Sequence, residues 1–281
     1  MKHRTTVISV SSAIAALIAV LGYTQIGEAD VAAGLRAFRN HDYATAFREW
    51  KAAADQGQVE AQVNLGVLYE KGLGVQRDMQ QALNLYQSAA GKGNAEAQFL
   101  IGQMYEKGWG VNQDYTAAFR LFQQSASAED QEAELSLADL YEDGYGVPKD
   151  HTQAVRWYRA AAGQGNAEAQ FRLARLIEQG RGTRRDETEA VRLYALAAEQ
   201  GVAGAEAKLG ELYAAGKGVS QDNSKAWFWL SVALRQGDKD ADKSRARIAG
   251  KLSKDEIVKQ DDAVRAWKPR VPPLTSLENV P

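Results

Sequence analysis

Apolar positions along the chain follow a helical beat and then recur as a block. Ala97, Ile101, Met104 and Tyr105 stand at i, i+4, i+7 and i+8, one face of an amphipathic helix. Ala118, Leu121, Phe122, Ser125 and Ala126 mark the apolar face of a second helix. The pair of stripes returns every thirty-six residues. Asp42, Asp78, Asp114, Asp150, Asp186 and Asp222 keep that interval, as do Ala46, Ala82, Ala118, Ala154, Ala190 and Ala226. Two helices of about twelve residues with short turns fill such a unit. One hairpin alone cannot bury its stripe, but stacked hairpins can, so the pattern predicts an all-α solenoid.

Between the two stripes lies a second pattern, "YEKGLGVQRD" over 69–78 and "YEKGWGVNQD" over 105–114. Gly72, Gly108, Gly144, Gly180 and Gly216 repeat in register, followed two residues on by Gly74, Gly110, Gly146, Gly182 and Gly218. A glycine loop that cradles phosphate needs free backbone N–H groups at a helix start, usually after a strand. Here the glycines follow a helix. The first fits a left-handed helix stop, and the aspartate four residues past the second fits the N-cap of the next helix, worth about 1 kcal/mol. The loop therefore reads as a turn. Small residues at Gly66, Gly102, Ala138, Ala174 and Gly210, with Ala89–Ala90 and Ala161–Ala162, are expected where neighbouring backbones approach.

Five full units span 61–96, 97–132, 133–168, 169–204 and 205–240. A shortened unit over 30–60 keeps the second half of the pattern, and a helical cap follows over 241–268. Ser253 and Glu256 form a capping box for a last helix ending near Trp267. Ile257, Val258, Val264 and Trp267 are its packing residues, and "WFWL" (227–230) is its docking face. Pro269, Pro272, Pro273 and Pro281 mark 269–281 as an extended or disordered tail. Ile177, Thr183 and Glu129 depart from the repeat locally.

The first 29 residues have another character. Lys2, His3 and Arg4 precede an uncharged run, Val7 to Leu21, and Gly27 and Ala29 suit a cleavage site before Asp30. This is the layout of a secretory signal peptide, with an uncleaved inner-membrane anchor as the alternative, and it predicts a periplasmic or secreted protein. The leader has no Arg-Arg pair, which favours a general secretion route. No other segment reads as a membrane span. The net charge of −2 gives no global field for nucleic acid. There is no cysteine, which excludes disulfides, thiolate metal sites and a cysteine nucleophile.

The repeat pattern A-x3-LG-x-LY-x2-G-x-GV-x2-D-x3-A-x3-Y-x2-AA-x2-G, met almost in full by "AQVNLGVLYEKGLGVQRDMQQALNLYQSAAGKG" (61–93), resembles the Sel-1-like repeat, a relative of the tetratricopeptide repeat. The latter usually has a thirty-four-residue period and lacks the G-x-G-V connector. The resemblance covers about 30–240. It implies a right-handed α/α superhelix of about six repeats plus a capping helix, with first helices on the concave face. It also implies an adaptor or assembly role in envelope complexes, signalling or host interaction. Family members reported as β-lactam-hydrolysing are cysteine-rich, unlike this chain.

No catalytic, metal or cofactor residues are read. His41 and His151 neighbour cap aspartates without partners at ligand spacing, and "DETE" (186–189) fits a helix start, where negative charge is favoured. Candidate contact residues lie where the letter varies. Leu73, Trp109, Tyr145, Arg181 and Lys217 stand between the paired glycines and would line a rim, or pack on the next loop. Asn64, Leu100, Ser136, Arg172 and Lys208 form one row on the first helices, and Val67, Gln103, Asp139, Arg175 and Glu211 form a second. Charge in some repeats and not others predicts that both rows face solvent. They would carry either salt bridges between neighbours or an acidic-then-basic groove for a charged peptide. The expected function is an exported, non-catalytic scaffold that binds a protein or peptide ligand on its concave face. The rivals are a module for envelope polysaccharide or peptidoglycan, suggested by Trp109 and Tyr145, and a hydrolase of the cell wall or of β-lactams, for which the sequence offers no converging titratable groups.

Overall fold

The structure, a computed structural model, describes residues 31–270. The leader and positions 271–281 of the tail lie outside the described residues. All regular elements among the described residues are α-helices: α1 Val31–Arg39, α2 Tyr43–Asp55, α3 Val59–Lys71, α4 Met79–Ala90, α5 Ala95–Lys107, α6 Tyr115–Ala126, α7 Gln131–Asp143, α8 His151–Gly163, α9 Ala167–Gln179, α10 Glu187–Glu199, α11 Ala203–Ala215, α12 Asn223–Arg235, α13 Asp240–Ala249 and α14 Lys254–Ala266. The chain divides into two compact units, Met1–Leu85 and Tyr86–Pro281.

In the first unit α1 and α2 make a complete hairpin, where the sequence shows only a second half. A Cβ on Gly34 would fall on the indole of Trp50, which is fully buried and donates its Nε1–H to the Val31 carbonyl at 3.1 Å. Phe38 packs on Trp50 with ring centres 5.5 Å apart. His41 stands in for the glycine connector with φ 59°, close to the Tyr43 hydroxyl at 2.9 Å.

In the second unit helices alternate between A type (α5, α7, α9, α11) and B type (α6, α8, α10, α12), each A packed on the following B. Gly102 and Gly210 serve this packing within one hairpin. A Cβ on Gly102 would meet Phe122, and one on Gly210 would meet Leu230. One continuous core runs through the last three hairpins and includes Tyr158, Leu173, Leu176, Tyr194 and Leu209. Ile177, where the repeat has tyrosine, is fully buried in it.

Helix A starts two residues before the units read from the sequence, at Ala95, Gln131, Ala167 and Ala203 in this unit. The cap residues set this phase. Asn94, Asp130 and Asn166 accept the N–H groups of Ala97, Ala133 and Ala169 at 2.7, 3.3 and 2.9 Å. At the same end of each hairpin, Gln164 donates to Glu134, Gln200 to Gln170 and Gln236 to Glu206, at 2.8, 2.9 and 2.6 Å. Gly165, Gly201 and Gly237 end their B helices at φ 94–101°. At the corresponding place, Glu129 holds a left-handed φ of 60°.

The cap contains α13 as well as the expected last helix. Ser253 and Glu256 form the capping box of α14. The docking face is as expected: Trp227 donates to Asp261 at 2.9 Å, and Trp229 meets Trp267 edge-on at 6.1 Å. Val264 is buried, but Val258 is 58% exposed and packs on nothing large, because it lies on the outer side of α14.

Candidate interaction surface

The connector between the A and B helices is fixed by backbone bonds. Gly72, Gly108, Gly144, Gly180 and Gly216 close the A helices in left-handed conformation with φ 67–80°. The next N–H groups, those of Leu73, Trp109, Tyr145, Arg181 and Lys217, all turn back to helix carbonyls at 2.9–3.2 Å. The tip N–H groups are thus spent on ending the helix before them, as in a turn. Asp114, Asp150, Asp186 and Asp222 cap the following helix through their carboxylates.

The second glycine has a separate reason. A Cβ on Gly146 would fall on the Tyr115 carbonyl, one on Gly182 on the His151 carbonyl and one on Gly218 on the Glu187 carbonyl. Each connector thus leans on the start of the preceding B helix, and only glycine allows that approach. In the first unit Gly74 leans on Tyr43 in the same way.

This frame holds the residue between the glycines outward. Trp109 is 43% and Tyr145 51% exposed, while Arg181 and Lys217 are also exposed and Leu73 is half-buried. Tyr145 packs backward, on the preceding hairpin rather than on the next loop. It stacks on Tyr115 with ring centres 4.8 Å apart and planes 21° from parallel, and it still presents half its surface to solvent.

The two rows on the A helices divide by repeat. Asn64, Val67 and Leu100 are buried, against the expectation that both rows face solvent. Gln103, Ser136, Asp139, Arg172, Arg175 and Lys208 are half-buried, and Glu211 is exposed. Arg172, Arg175 and Lys208 reach water from their places in the rows, whereas Asn64, Val67 and Leu100 close inside. Asn64 and Leu100 therefore drop out as contact residues.

The charges in these rows are largely engaged. Arg175 donates to Glu142 of the preceding hairpin at 2.5 Å, and Lys208 pairs with Glu178 of the preceding hairpin at 3.0 Å. Arg172 pairs with Glu168 on its own helix at 2.6 Å. The fully buried Tyr158 contacts both Asp139 and Glu142 through its hydroxyl. Burial pushes the Asp139 carboxyl up, against the opposing effect of the Tyr158 bond. The acidic-then-basic groove is thus mainly a set of ties between repeats, including the salt bridges between neighbours that the sequence also allowed.

Sequence reasoning missed the clamp of Gln164, Gln200 and Gln236. The signal was present in the thirty-six-residue spacing of those glutamines, opposite Glu134, Gln170 and Glu206.

The Sel1 repeat family model matches residues 59–94, 95–130, 131–166, 167–202 and 203–238. The chain belongs to the Sel1 repeat family. A Sel1 repeat protein from Oxalobacter formigenes is similar in structure, with 30% identity and a TM-score of 0.73 over 84% of this chain and 99% of that one. The protein c5321, a protective antigen present in uropathogenic Escherichia coli strains and displaying the same fold, is 27% identical with a TM-score of 0.56. That match covers 82% of this chain and 58% of c5321. No curated protein sequence matches the chain. Sel1 repeat solenoids typically mediate protein–protein interaction and are generally non-catalytic. Among the described residues no helix is long and apolar enough to cross a membrane.

Proposed function

We propose that this Sel1 repeat protein is an exported scaffold that binds a protein or peptide partner along the edge formed by its connector tips. One observation carries the reading. Four large apolar side chains stand exposed among the described residues, and two of them, Trp109 and Tyr145, occupy successive tips thirty-six residues apart. The turn does not require an aromatic there, since Arg181 and Lys217 fill the same place. Exposed aromatics on a rigid frame lose little conformational freedom on binding and supply large contact area. The leader pattern of residues 1–29 supports export to an envelope compartment.

A photo-crosslinking residue placed at Trp109 or Tyr145 in cells tests the reading. Capture of a discrete protein from the tips, and not from exposed Arg192 on α10, is the expected result. Loss of that capture on Trp109→Ala with Tyr145→Ala completes it, and equal capture from Arg192 overturns it. The stacked Tyr115–Tyr145 pair favours one second reading, an aromatic platform for an envelope glycan. Retention of a polysaccharide that depends on Tyr145, with no protein capture, would select it.

A further inference from the structure

The end of the solenoid holds a cavity that the repeats themselves do not build. It has a volume of about 420 Å³ and lies between α11 and α13, with Glu178 of α9 at its side. Its floor is apolar, made by the buried Leu212 and Ile248. Its rim carries Lys217, Arg247 and Lys251, all exposed and without an ion-pair partner among the described residues. Lys208 is also there, but it is held by Glu178 at 3.0 Å and lies 4.0 Å from Glu211. The lining sets four basic side chains against Glu178 and Glu211, a net positive charge around one apolar hollow that stands against the slightly acidic balance of the chain as a whole.

Two features tie this cavity to the tip edge. Lys217 is itself the last tip residue, in register with Trp109, Tyr145 and Arg181. Arg247, Ile248 and Lys251 come from the cap and have no repeat counterpart, so the cavity occurs once and gives the edge a direction.

We infer that this cavity receives an acidic segment of the partner protein, one apolar side chain entering between Leu212 and Ile248 while flanking carboxylates meet Lys217, Arg247 and Lys251. The inference rests on the scaffold reading and adds the chemistry of the partner. Opposite charge steers approach and fixes register, and the apolar anchor supplies the burial. A bare anion would leave the floor unused, and an apolar segment without acids would leave the three cations unanswered.

Fluorescence anisotropy on the full chain tests it, with a labelled peptide of alternating Asp and Glu around a single Leu. That peptide should bind, more weakly as salt rises. Arg247→Glu with Lys251→Glu should weaken it by about tenfold or more. Lys217→Glu, on the opposite wall, should do the same, so a folding defect in the cap cannot mimic the result. Replacing the peptide Leu by Ser should also weaken binding. Equal binding by the charge-reversed variants, equal binding of the Ser peptide, or complete competition by inorganic phosphate each overturns the inference. If the peptide fails while crosslinks at Tyr145 still capture protein, the cavity inference falls and the scaffold reading stands. If both fail, the scaffold reading falls as well.

Discussion

At the connector end of each hairpin the backbone does the specifying, whereas at the opposite end side chains do it. The connector is fixed by two left-handed glycines, returning N–H groups and a capping aspartate, so its tip side chain is free to be Trp109, Tyr145, Arg181 or Lys217. The opposite end is fixed by the Gln164–Glu134, Gln200–Gln170 and Gln236–Glu206 clamps, whose A-helix members Glu134, Gln170 and Glu206 are buried. Freedom to vary in sequence therefore belongs to the end that backbone geometry controls. That is also the end where a partner can be read.

Substitutions can break this contrast. The largest effect is expected at the connector, where Gly182→Ala forces a Cβ onto the His151 carbonyl at a left-handed φ of 68°. The expected loss is roughly 3 kcal/mol, combining conformational strain with overlap that backbone cannot relieve. Gly165→Ala has the same sign of φ but open space around it, so only about 1 kcal/mol should be lost. Urea unfolding of the two variants measures the difference, and equal losses would refute the close-approach role of the second glycine.

The clamp end should be sensitive to pH. Glu206 is fully buried, and its Oε2 has no donor among the described residues. Burial pushes its carboxyl up to about 7 from an ordinary 4.5, opposed by Arg235 and the Gln236 bond. The folded form thus holds the proton more tightly than the unfolded chain. Its stabilising effect is complete below about 4.5 and is lost as pH rises through about 7. Glu206→Gln supplies the amide that Gln170 already provides in the preceding hairpin, and it should raise stability at pH 8 by roughly 2 kcal/mol. Little change is expected at pH 4, and melting curves at the two pH values check the sign.

A smaller gain is expected from Glu129→Gly, which relieves a left-handed glutamate where the other hairpins of the second unit have glycine. The lower strain is partly offset by the freer unfolded chain, leaving roughly 0.5–1 kcal/mol in thermal unfolding. The smallest effect should come from Arg181→Ala at an exposed tip, within about 0.5 kcal/mol of the parent. A large loss there would show that the tip carries structure after all.

Much of this was legible in the letters. The period, the turn, the aspartate caps and the capping box of Ser253 follow from local rules, and each is satisfied within a few residues of the chain. What local rules missed depends on contacts across the fold. The first hairpin was read as half a unit because Trp50 and Gly34, which lock it, are a tertiary pair rather than a motif. Gly102 and Gly210 are legible as points of close approach, but spacing cannot say that the B helix of the same hairpin is the neighbour. The rows through Asn64 and Arg172 share one register, yet Asn64 is buried and Arg172 half-open. The cavity at the last repeat was not legible, because half its wall comes from α13, which lies beyond the periodic part.

The leaning of each connector on the helix before it has a mechanical side. Gly146, Gly182 and Gly218 hook their loops backward, toward the N-terminus, one hairpin at a time. A pull applied at the C-terminal end should lift these hooks in sequence, last hairpin first, and the second unit should unravel in evenly spaced steps of one repeat each.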